Sequence, residues 1–337
     1  MLSPTTPLHP EIGTLPSSRG PLSEAVLATL RNETPGDPAV DAADPYGDDL
    51  QLALYCCYEL HYRGFAGVDD EREWHPGLLA LRHELERVFL AALRADVVAG
   101  DDVTAEIDTL LVEPVDGVGV THHLRRNGAL WQLREFVAHR SIYHLKEADP
   151  QAWVIPRLSG PAKAALVTVE HDEYGAGDPD RMHAGLFATM MTELGLSARY
   201  GAYLDLVPGE TLAEVNFMSL CGLHRSLRAA SIGQFAVTEL TSSPGSDRLV
   251  RGMRRLDCPP SAIDFYAEHV EADAVHEQIV RRGMLDPLMA AEPWLAADVV
   301  FGIRTALFLN ERFSALLLDH WQRDATSLRE PLTTVGS

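Results

Sequence analysis

The sequence predicts an all-α protein, a helical bundle long enough for a sizeable core in one large domain or two smaller ones. Three observations carry that reading. Apolar residues recur at helical spacing along most of the chain, as in the stretch 76–95 with Leu78, Leu79, Leu81, Leu85, Val88, Phe89 and Leu93. Alternating strand patterns are scarce, and no strand–helix–strand rhythm appears. Neither a Gly-x-Gly-x-x-Gly nor a Walker pattern is present, so a nucleotide-binding α/β sheet lacks its signature.

The elements follow in order. Met1 to Pro21 is rich in Pro, Ser and Thr without a basic then apolar leader, which predicts a flexible arm over residues 1–22. A short helix is expected over 23–31. The next, 48–65, opens with two aspartates that suit a helix N-terminus. Pro76 starts the helix 76–95, and 102–111 is a further candidate. These make an accessory helical region over 23–120. The main core, 121–330, begins with a helix over 128–146 that stops before Ala-Asp-Pro. Pro161 starts a helix to 174; Gly175–Asp178 breaks the pattern, and helicity resumes over 180–194. Helices over 211–223 and 225–241 follow, then a Ser-Ser-Pro-Gly-Ser turn at 242–246. Two long helices, 261–282 and 296–323, complete the chain.

Composition narrows the partners. Lys and Arg number 28 against 49 Asp and Glu, a formal net charge of -21. Such a balance argues against nucleic acid and anionic membranes. No apolar run approaches the roughly 20 residues of a membrane span. Cys56, Cys57, Cys221 and Cys258 form no Cys-x-x-Cys motif, so a zinc ribbon or disulfide framework is not expected and a reducing cytoplasm fits.

Chemistry is carried by His269-x3-Asp273-x2-His276. On a helix these three side chains fall at about 0°, 40° and 340° around the axis, one face. Two imidazoles and a carboxylate converging from one face suit iron or manganese, with zinc or copper also possible. One helix cannot complete a coordination sphere. Glu239, among Phe235, Ala236 and Leu240, is a carboxylate in apolar company that needs a reason. Glu173 and His183 flank a Gly-rich break that lets both face one site. Glu147 closes the 128–146 helix, where Glu135 and His139 form a rival pair. Carboxylates and imidazoles from several helices are how non-haem di-iron centres are built.

The run 140–150, Arg-Ser-Ile-Tyr-His-Leu-Lys-Glu-Ala-Asp-Pro, followed by Ile-Pro-Arg-Leu at 155–158, resembles the heme-oxygenase-like di-iron oxidases. So do Asp172-Glu-Tyr-Gly175, Arg181-Met-His183 and the segment from Tyr266 to His276. The resemblance covers roughly residues 125–325. It implies a heme-oxygenase-like helical bundle, here with extra N-terminal helices, holding two irons and no haem. The implied ligands are Glu147, Glu173, His183, Glu239, His269, Asp273 and His276. Glu173 corresponds to the additional carboxylate of the N-oxygenase branch, and tilts the reading toward oxidation of a small-molecule amine, an amino acid or arylamine, to hydroxylamine, nitroso or nitro in natural-product biosynthesis. O2 is the implied co-substrate, an external reductase or reductant the electron donor, and a homodimer the implied assembly. Tyr266, beside the triad, is a candidate pocket residue; Arg157 and Arg225 are candidate partners for a substrate carboxylate. Two other readings stay open: a di-iron oxidase cleaving, decarboxylating or desaturating an amino or fatty acid, and a non-catalytic helical binding protein.

Overall fold

A computed structural model describes residues 12–112 and 117–332, with the side chains of Asp273 and Ala274 excepted. Among the described residues there is no strand, as expected of an all-α chain. Fourteen α-helices are used below: α1 (Pro21–Leu30), α2 (Asp48–Glu59), α3 (Pro76–Asp96), α4 (Val103–Leu110), α5 (Val120–Arg126), α6 (Leu130–His144), α7 (Asp149–Ala152), α8 (Gly160–Glu173), α9 (His183–Glu193), α10 (Gly209–Leu223), α11 (Arg228–Arg255), α12 (Pro260–Gln278), α13 (Asp286–Ala291) and α14 (Ala296–Trp321). None of the described helices is long and apolar enough to cross a membrane.

The first eleven residues of the expected arm lie outside the described residues. The rest is docked: Ser17 N–H donates to Asp205 (2.8 Å), Arg19 donates to the Leu204 carbonyl (2.6 Å), and the Gly13 carbonyl accepts from Ala66 N–H (2.9 Å). Leu22, Val26, Leu27 and Leu30 of α1 join one apolar cluster with Leu50, Leu54 and Tyr58 of α2, and with side chains of α6, α10 and α14. The N-terminal helices therefore share their core with the helices that follow. A second cluster lies between α8, α11 and α14.

The long helices α11 and α14 cross at backbone contact. A Cβ added at Gly233 would run into the Val299 carbonyl, and one at Gly302 into the Ala230 carbonyl. Only glycine permits that approach, and it fixes where α11 stands.

Three expectations about elements are corrected, the first being the helix expected over 48–65, which ends at Glu59. The turn predicted at 242–246 is absent, and α11 runs unbroken from Arg228 to Arg255 through Pro244. Proline removes one amide from the ladder and so frees the Leu240 carbonyl. Burial of Phe235, Ala236 and Leu240 before it, and of Leu249, Val250 and Met253 after it, carries the helix across. The helix predicted over 261–282 instead ends its α-helical part at Gln278 and continues as a π-helix over Ile279–Leu285. The extra residue in that wider turn directs Val280, Met284 and Leu285 into the interior. Helix α5, with two histidines in seven residues, had no apolar periodicity to announce it.

Candidate metal centre

Five separate stretches deliver six buried side chains to one place. Glu147 follows α6, where the chain leaves the helix through Ala148 in the left-handed region (φ 73°). Glu173 is the last residue of α8, and His183 the first of α9. Between them Gly175 adopts φ 77°, and a Cβ there would meet Met182 N at 2.8 Å, so the chain can double back only on glycine. Glu239 comes from the middle of α11; His269 and His276 stand two turns apart on α12.

The donor atoms of Glu147, Glu173, His183 and His269 lie within 4.8 Å of one another, and so do those of Glu173, Glu239 and His276. Glu173 belongs to both groups, through different oxygens: Oε2 is 2.7 Å from His183 Nδ1, and Oε1 is 3.8 Å from His276 Nδ1. The first of these contacts is close without meeting hydrogen-bond geometry. His269 Nε2 is 3.7 Å from Glu147 Oε1. Glu147 Oε2 is buried with no hydrogen-bond partner among the described residues. All six residues are buried.

Further contacts orient these side chains. His269 Nδ1–H donates to the Phe265 carbonyl (2.8 Å), which turns Nε2 toward Glu147. His276 Nε2 is 3.2 Å from Asp172 Oδ2, which turns Nδ1 toward Glu239 Oε2 at 3.1 Å. His144 Nδ1 lies 2.7 Å from Glu147 Oε1. Burial pushes the Glu147 carboxyl up, but His144 and His269 outweigh it and hold the group below the usual carboxylate range. Imidazoles and carboxylates held in this way, with carboxylate or carbonyl partners behind them, are the donor set of a divalent metal site. Buried acids this close together repel unless a proton or a cation offsets their charge, and the chemistry of both donor groups fits a metal ion.

Each predicted residue can now be placed. Glu147, Glu173, His183, Glu239, His269 and His276 converge. The Asp273 side chain lies outside the described residues, although its backbone continues α12 between the two histidines. The rival pair is elsewhere. Glu135 accepts from Trp321 Nε1 (3.0 Å), Ser327 N–H (3.0 Å) and Ser327 Oγ (2.8 Å), while His139 bonds Thr211 and Ser327. Burial, with help from Arg140 and His320, pushes His139 down to about 3, so it stays neutral and ties the chain's end to α6.

Beside the carboxylates lies a cavity of about 150 Å³. Phe136, Tyr143, Phe235, Phe265 and Tyr266 give it aromatic walls; Thr238, Ser242 and Ser246 add hydroxyls, and Glu147, Glu173, Glu239 and His269 line its metal end. The Tyr266 hydroxyl is buried with no hydrogen-bond partner among the described residues. Arg157 and Arg225 do not line this cavity. Arg157 donates to the Gly222 and Leu223 carbonyls at the end of α10, and Arg225 is exposed in the turn before α11. Arg157 thus caps the end of α10, and Arg225 is surface charge.

Three neighbours carried no signal strong enough to single them out. Asp172 and His144 act through the residues they orient. Glu170, one turn before Glu173, is buried with both oxygens unpartnered among the described residues. Burial, then Glu173, Glu239 and Asp149, pushes its carboxyl up to about 9. Its spacing of three from Glu173 was the available clue, since on a helix that places both on one face.

A comparison with curated proteins returns no significant match. A family model described as iron-containing redox enzyme matches residues 134–311, more than half of the chain. That stretch carries all six converging donors and the fold that positions them, and the protein belongs to the iron-containing redox enzyme family.

Proposed function

We propose that the protein is a non-haem di-iron oxygenase that uses O2 to oxidise the nitrogen of a small-molecule amine. The observation that carries the reading is Glu173, whose two oxygens face two separate donor groups. A single iron would need only one of those groups. When bound, two ferrous ions supply the electrons and the O2 affinity that protein side chains lack.

The chain's own residues would do the rest. Glu147, His183 and His269 would hold one ion and Glu239 and His276 the other, and Glu173 offers an oxygen to each group. The aromatic walls would pack against the apolar part of a small amine and turn its nitrogen toward the donor groups at the cavity's metal end. At about 150 Å³ the cavity is of benzene size, which suits a small amine or one end of a larger one. Tyr266, whose phenol burial keeps protonated, would donate a hydrogen bond to the bound substrate. Electrons for repeated turnover come from an external reductant, and oxidation proceeds through hydroxylamine toward nitroso or nitro.

The test is anaerobic Fe(II) loading, with iron counted per chain, followed by reaction with 18O2, reductant and a panel of amines read by mass spectrometry. Two irons per chain and labelled oxygen on nitrogen are expected. Release of CO2 or a carbon fragment, with no oxygenated nitrogen, overturns the N-oxygenase reading in favour of carbon–carbon cleavage or desaturation.

A further inference from the structure

Lys146 precedes Glu147 in the chain, yet its side chain runs the other way, out of the metal region and into the N-terminal helices. Its Nζ donates to Glu59 Oε2 at 2.9 Å, and both side chains are only 1% exposed. The ammonium stands 4.0 Å from the Tyr62 ring and 4.7 Å from the Tyr55 ring. The same Glu59 oxygen accepts from Tyr200 Oη at 2.9 Å. One turn on, Arg63 donates to the Leu145 carbonyl at 2.9 Å and covers the Tyr200 ring. Residues 145 and 146 are therefore both gripped by the last residue of α2 and the turn that follows it.

The grip matters because the stretch it holds is not in a helix that could hold itself. Helix α6 ends at His144, Ala148 is left-handed, and α7 begins only at Asp149. Asp149 in turn accepts from Tyr174, the residue after Glu173, at 3.0 Å. Glu147 thus hangs between two anchors, the Glu59–Lys146 pair on one side and the Asp149–Tyr174 bond on the other. A buried ion pair is a poor way to gain stability, since well-packed apolar residues of similar volume serve as well or better. It does fix direction and distance, which is what a metal ligand needs from the residues behind it.

We propose that Glu59 and Lys146 are positioning residues for Glu147, through which helices preceding the matched family region set the metal affinity of one half of the centre. This rests on the two-metal reading above. Neither residue touches metal or substrate; the pair acts through the backbone of the next residue.

The experiment is Co(II) titration of the full chain, followed by the visible d–d spectrum and calorimetry. Removing one partner strands a buried charge and can unfold the protein, so the working variant is Glu59→Gln with Lys146→Met, which removes both charges at near-constant volume. It is expected to fold as the parent does by circular dichroism. One Co(II) should bind about 10- to 100-fold more weakly, the range for loss of a residue that orients a ligand, while the other binds unchanged. Glu147→Gln should weaken the same step, which identifies the half concerned, and Lys146→Arg should keep parental affinity. A folded double variant that binds both ions like the parent overturns the proposal. So does equal weakening of both steps, the signature of a merely structural pair. A parent that binds no Co(II) overturns the metal-centre reading itself, and this proposal with it.

Discussion

His276 is held by two acids, with Nε2 3.2 Å from Asp172 Oδ2 and Nδ1 3.1 Å from Glu239 Oε2. One carboxylate lies inside the donor group and the other behind the ring. Asp172→Ala keeps every proposed ligand and removes only the outer partner, which fixes the tautomer and the ring plane. Fe(II) or Co(II) affinity at the Glu173–Glu239–His276 group should fall about 10- to 100-fold, with the other group unaffected. Competitive chelator titration measures it; parental affinity would show that Asp172 is only a surface acid.

Gly175 sets the turn that returns His183 to Glu173. In Gly175→Ala the side chain meets both a positive φ and the Met182 backbone. The protein should lose more than about 1 kcal/mol, because alanine is forced into a positive φ that it rarely adopts. Metal uptake by the Glu147 group should fall with it. Denaturant unfolding of the metal-free protein and a metal count check the two effects separately.

Glu170 gives the metal-free protein a pH signature. Its carboxyl ionises at about 9 in the fold against a reference of 4.5. Between those values the folded chain holds a proton that the unfolded chain has released. Stability from this group is complete below about 4.5 and is lost as pH rises toward 9. Glu170→Gln keeps a neutral side chain of the same shape at every pH. Urea midpoints measured from pH 5 to 9 should therefore fall less steeply in this variant than in the parent; identical slopes would place the Glu170 pKa near its usual range.

Tyr266→Phe deletes one oxygen from the cavity wall and nothing from the donor groups. Metal content and melting temperature should match the parent, because the hydroxyl has no protein partner to lose among the described residues. kcat/KM for the amine substrate should drop by up to about tenfold, one hydrogen bond's worth. An unchanged kcat/KM would make Tyr266 a wall residue only.

The sequence and structure agree where a residue's neighbours along the chain decide its place. The His269–His276 stripe was legible because helical period alone puts both histidines on one side. The Gly175 break was legible because glycine marks a turn. Glu239 stood out as an acid among apolar neighbours. Other features depend on distant partners. Nothing local separates Glu147 from Glu135; one meets His269 and the other meets Ser327 and Trp321. Pro244 reads as a stop until the burial on either side of it is known. Arg157 and Arg225 looked like substrate anchors because a guanidinium carries no sign of which oxygens will surround it.

The five stretches that meet at Glu173 lie far apart along the chain, from Glu147 to His276. Metal bound there would therefore cross-link the fold. It closes several long loops at once, and each closure limits the unfolded chain more than the folded one. Emptying the site would return that freedom to the stretch following α6, the ends of α8 and α9, and the C-terminal half of α12. Ions held there would act as the clasp that keeps these helices in register.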